Sequence, residues 1–120
     1  MSAQLSEAQR EIALADHILT QTYPLVNNPK LLVTVCDHLD SAGQVIIKEE
    51  SIGLTPAQRE SIEAVHDIVK QHRESAVEFK RKESFVLCQD DFRYSVLSKA
   101  LVDKHLRTIR SALHNGRDTA

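Results

Sequence analysis

Glycine and proline are scarce in this chain, with three of each in 120 residues. Both interrupt regular structure, glycine through its backbone freedom and proline through a fixed φ and a missing N–H. Their scarcity predicts long unbroken elements, and hence helices. An excess of one charge is also missing: fifteen Lys and Arg against seventeen Asp and Glu leave a formal net charge of −2. That excludes a globally basic nucleic-acid binder and leaves room for a local basic patch. The two cysteines, Cys36 and Cys88, read as small buried residues, with a single disulfide between them left open. No run approaches the roughly 18 apolar residues that span a bilayer. The opening stretch MSAQLSEAQREIALADHIL carries charges throughout and no apolar core, so no signal peptide and no membrane partner is expected, and the cytoplasm is the expected location. A glycine-rich phosphate loop, a Ser/His/Asp arrangement, zinc-type cysteine spacing, internal repeats and low-complexity segments are all absent.

What is present suits a globular protein. An apolar fraction of 42% and a charged fraction of 27% are ordinary for one, and the length predicts a single domain over residues 1–120, with 1–5 and 117–120 frayed. Ser6 and Gln9 stand in capping-box spacing before a stripe of Ala8, Ile12, Ala15, Ile18, Leu19 and Thr22. Pro24 should end or kink that first helix at Tyr23. Asn28-Pro29 predicts a second start, for a helix to about Glu50 with Leu32, Val35, Cys36, Leu39, Ala42, Gly43 and Ile46 inward, closed by Gly53. Thr55-Pro56, with Gln58 three residues after Thr55, predicts a third helix whose stripe is Ile62, Val65, Val69, His72, Ala76 and Phe79. A fourth begins at Ser98, buries Leu101, Val102, Leu106, Ile109, Ala112 and Leu113, and stops at Asn115-Gly116.

Between the last two helices the period changes. Phe85-Val86-Leu87-Cys88 is a β-prone run, Gln89-Asp90-Asp91 a turn, and Phe92, Tyr94 and Val96 alternate with Arg93 and Ser95. The expected fold is mainly α: an up-and-down bundle of four principal helices with a β-hairpin inserted between the third and fourth. A lone hairpin is marginal in water, so it should lie on the bundle or on a partner chain.

Charge, an aromatic and a predicted helix end concentrate at His72–Lys82, HRESAVEFKRK. With the order of helices, this segment resembles the HEPN superfamily of small helical bundles, in particular its non-nuclease branches. Small archaeal-type helical proteins are also similar across the HRES, VEF and hairpin segments. The resemblance covers most of the chain as topology and about seven residues as motif; the hairpin at 85–96 departs from the family's usual pattern. In the nuclease branches an arginine and a histidine four to six residues later act on the RNA backbone. Arg73 matches that arginine, and Glu78, paired with Phe79, stands where the histidine would be. Histidine exchanges protons near neutral pH, whereas an exposed glutamate, with a reference value near 4.3, is a poor acid there. A neighbouring Arg73 would hold Glu78 ionised. The plainer account makes Arg73 and Glu78 helix-surface charges beside a core-facing Phe79.

Other candidates are weaker. Arg59/His66 and Arg107/His114 match the arginine–histidine spacing by chance. Glu63-Ala64-Val65-His66 is one Glu-x-x-His unit where a di-iron bundle needs two, so no metal or other cofactor is expected. His72 and His105 fall on apolar stripes and should bond to each other or to backbone. Arg73, Lys80, Arg81, Lys82 and Arg93 could bind RNA or phosphate, with Phe92 and Tyr94 as stacking surfaces, although Glu83, Asp90 and Asp91 offset much of that charge. The sequence thus points to a non-catalytic HEPN-like interaction module, homodimeric, engaging RNA, a ribonucleoprotein or a protein partner. One alternative is a metal-independent, toxin-like endoribonuclease whose catalytic candidates are Arg73, Glu78 and His72. Another is a structural subunit of a larger complex.

Overall fold

The computed structural model describes residues 3–91 and 93–115. Helices α1 (Ala3–His17), α2 (Tyr23–Val26), α3 (Leu31–Lys48), α4 (Pro56–Glu74) and α5 (Lys99–Ala112) surround one apolar core. Strands β1 (Val77–Arg81), β2 (Ser84–Cys88) and β3 (Tyr94–Leu97) form an antiparallel sheet in the order β1-β2-β3, inserted between α4 and α5. The helical bundle with its hairpin is present, and β1 enlarges the hairpin to three strands. Among the described residues no helix is long and apolar enough to cross a membrane.

The starts of α4 and α5 follow the expected capping chemistry, whereas α3 begins at Leu31 behind Lys30 with no side-chain cap. Thr55 Oγ1 accepts from Gln58 N at 3.1 Å while Gln58 Oε1 accepts from Thr55 N at 3.0 Å, a complete capping box at α4. Gln58 is buried and also donates through Nε2 to Ser111 Oγ at 2.9 Å, tying the start of α4 to the end of α5. Asn115 continues that tie by donating to Gly53 O at 2.8 Å; Gly116 lies outside the described residues, as do Phe92 and 117–120. Ser98 Oγ caps α5 by accepting from Leu101 N. Asn28 Oδ1 accepts from Lys30 N at 3.1 Å ahead of α3.

The first helix differs from its expectation. Ser6 and Gln9 lie inside α1, which already begins at Ala3. Leu5 packs against the core, and its burial extends the helix a turn beyond the expected cap. The interruption expected at Tyr23-Pro24 takes the form of a π-turn over Ile18–Thr22, where Tyr23 N donates to Ile18 O five residues back. Pro24, which has no N–H to give, then falls in the first turn of α2 directly after the π-turn. The segment ends at Asn27, left-handed with φ 53°.

The predicted stripe of α3 is buried at all seven positions, from Leu32 to Ile46. At Gly43 a Cβ would sit 3.0 Å from Ile62 Cγ2, so glycine there lets α3 and α4 approach closely. Ile62, Val65 and Val69 are buried on α4, but the stripe stops there. The helix ends at Glu74, so Ala76 is exposed coil and Phe79 belongs to β1. Beyond Ser75 the residues Val77-Glu78-Phe79-Lys80-Arg81 alternate with period two and pair with β2, and that pairing overrides the helical spacing.

Candidate functional site

Residues opposite one another in a ladder share a face. Register places Glu78 opposite Leu87 opposite Ser95, and Lys80 opposite Phe85 opposite Leu97. This is the inner face: Phe85, Leu87 and Leu97 enter the core. Val77–Cys88–Tyr94 and Phe79–Val86–Val96 make two rows of the outer face, with Arg81 opposite Ser84 at its end.

The helix-to-strand junction is held by Glu78. His72 Nδ1 lies 2.5 Å from Glu78 Oε2, and Ser75 Oγ lies 2.7 Å from the same oxygen and 3.0 Å from the carbonyl of His72. Serine, histidine and carboxylate therefore meet, but not as a nucleophile and its base. The hydroxyl engages the carboxylate and a backbone oxygen, not the imidazole, which differs from a Ser–His–carboxylate relay. The triplet works as a clasp between α4 and β1.

Arg73 is exposed on the last turn of α4 and has no ion-pair partner among the described residues. The structure does not pair it with Glu78, which takes His72 and Ser75 instead; α4 ends between the two residues, at Glu74. His72 and His105 do not meet either: Ser61 Oγ lies 2.5 Å from His105 Nδ1. Burial, and then the charge of Lys104, hold the His105 imidazole below its ordinary value. His66 Nδ1 contacts Asp40 Oδ1 at 3.0 Å, and among the described residues no three His, Cys, Asp or Glu side chains gather as metal ligands would. A cleft of about 520 Å³ opens between the end of α4 and β3, lined by Asp67, Lys70, Glu74 and Arg93 among others, and another of about 740 Å³ lies beside α2 and the start of α5. Arg73, His72 and Glu78 line neither.

Lys80, Arg81 and Lys82 are exposed at the β1–β2 end of the sheet, with no carboxylate partner among the described residues. Lys82 sits in the two-residue turn at φ 57°, a left-handed conformation that glycine or asparagine adopts more easily. Arg93 is not part of this group. Its Nε donates to Asp91 Oδ2 at 2.6 Å, and its backbone N–H and then its guanidinium hold the Asp91 carboxyl below the ordinary range.

The outer face is the feature that sequence reasoning missed. Val77 is 56% exposed, Phe79 44%, Tyr94 68% and Val96 43%, all around Val86, which is buried by its neighbours and lies outside the main core. Four of the seven large apolar side chains exposed among the described residues stand on this one face. The signal was available in Val77-Glu78-Phe79, an alternation in step with Val86 and Val96, but only once β1 is recognised as a strand.

Fold and site together define a mainly helical protein that carries a three-stranded sheet with an uncovered apolar face. No protein-family model, curated protein or solved structure matches this chain.

Proposed function

We propose that this chain is a non-catalytic interaction module, homodimeric and HEPN-like in its helical layout, whose contact surface is the outer face of the sheet with its basic end. The observation that carries this is the cluster of exposed apolar side chains on that face, because soluble proteins rarely leave such a patch contiguous without a partner to cover it. Two features support the non-catalytic reading: Arg73 is exposed with no ion-pair partner among the described residues, and Glu78 is engaged by His72 and Ser75. RNA or a ribonucleoprotein is the partner suited to Lys80, Arg81 and Lys82; a protein partner suits the apolar rows.

The test joins an activity assay to a binding assay. Purified protein in chelator should leave single-stranded RNA intact. A labelled single-stranded oligonucleotide should bind more weakly when Lys80, Arg81 and Lys82 are all changed to Glu, with the difference shrinking as salt rises. Metal-free cleavage lost in Arg73→Ala would replace this reading with the endoribonuclease. RNA binding indifferent to the basic residues would remove RNA as the partner.

A further inference from the structure

We infer that the outer face of the sheet is covered by the same face of a second copy of this chain, the two related by a two-fold axis that lies between the sheets and runs across the strands. The inference rests on the homodimeric reading above and assigns its interface.

The face is self-complementary in charge as well as apolar. At one end stand Arg81 and Lys82, exposed and without carboxylate partners among the described residues, with Glu83 beside them in the turn leaving that end net positive. At the other end, past Cys88, the turn carries Asp90 and Asp91, and Arg93 occupies only Asp91. A two-fold interface brings one patch against itself, so the orientation of the axis decides which ends meet. An axis along the strands would set cations against cations. An axis across them sets Arg81 of one copy against Asp90 of the other, twice, while Val77–Cys88–Tyr94 faces Phe79–Val86–Val96. Charge therefore selects one arrangement.

Composition favours a second copy over nucleic acid. Val77, Val86, Val96 and Cys88 outnumber the described aromatics Phe79 and Tyr94, and a phosphate backbone laid along the strands would meet the acidic turn. Three strands about 4.8 Å apart, each contributing about 3.4 Å per residue, give a patch well below the ~800 Å² per partner of a standard interface. The dimer is accordingly a reversible one.

Sedimentation of the full chain from about 10 µM to about 1 mM tests this. The wild type should pass from monomer to dimer across that range, and Val96→Asp, at an exposed position that leaves the fold intact by circular dichroism, should stay monomeric. Arg81→Glu and Asp90→Lys should each weaken dimerisation by about tenfold, since each breaks two symmetry-related pairs. The chain carrying both changes should recover most of that loss, because the opposite charges face one another again. A double variant no better than either single change overturns the proposed axis. A dimer indifferent to Val96→Asp overturns the interface and leaves the homodimeric reading standing. A monomer throughout overturns both. Binding of a single-stranded RNA oligonucleotide by a monomeric wild type, abolished by Val96→Asp or Tyr94→Ala, would overturn it in favour of RNA.

Discussion

A thiol reagent should tell the two cysteines apart. Cys36 is wholly buried on α3, and burial, followed by the charges of Asp37 and Asp40, pushes its thiol up to about 12. It should not react in the native chain at mildly alkaline pH. Cys88, free and half-buried on the outer sheet face, should react alone, and Cys36 only after unfolding; two equally fast thiols in the native state would contradict this. His105 gives a pH dependence of definite sign. Its folded value lies below the ordinary ~6.5, so as pH falls through that value the unfolded chain takes up a proton before the folded one does. The stability that depends on neutral His105 is complete above about 6.5 and declines as pH falls toward the lowered value. Melting temperatures from pH 8 to pH 5 should show a decline that is smaller in His105→Gln. At this scale the sequence was legible for burial and illegible for pairing. The expected pairing of Arg73 with Glu78 is not made, and the partners that Glu78 actually takes, His72 and Ser75, depend on the helix stopping at Glu74.

The starts of α4 and α5 were readable, because a cap is a short-range hydrogen bond written in adjacent residues, while those of α1 and α3 fall away from the expected caps Ser6 and Asn28. Thr55, Gln58 and Ser98 perform the roles that their spacing predicts. The end of α4 was not readable in the same way. Ile62, Val65 and Val69 set a helical spacing that Ala76 and Phe79 happen to continue, while the strand that displaces them draws its stability from pairing with β2, seven residues further along. A strand's stability depends on what its side chains meet across the ladder, so its own residues carry only a weak trace of it. The buried part of the stripe can be tested directly. Val69 is 1% exposed in the middle of α4, so Val69→Asp places an unpaired carboxylate in the core and should destabilise the domain by roughly 3–5 kcal/mol. Urea unfolding that matches the wild type would show that this face of α4 is not packed.

For the whole molecule, the heaviest packing joins elements close in the chain, α1 on α3, α3 on α4, β1 on β2 and β2 on β3, while α5 returns across the inserted sheet to pack on α4 and α3. The contact of greatest sequence separation, which closes the bundle, is the seam between the first helix and the last, where α1 meets α5 and Arg110 Nη2 lies 2.9 Å from Asp16 Oδ2. That topology has a kinetic consequence. Contacts between chain neighbours require little loop closure and can form early, whereas the α1–α5 seam must bring together segments nearly the full chain length apart. The seam should therefore be the last part to form and the first to open. Ile12, buried on α1 beside Leu113, reports on it: Ile12→Val should cost about 1 kcal/mol and appear mainly as faster unfolding, with the refolding rate nearly unchanged. Leu39→Ala, in the middle of α3, should slow refolding instead. Stopped-flow measurements in urea separate the two cases, and an Ile12→Val chain that refolds slowly would place the joining of the first and last helices at the start of folding.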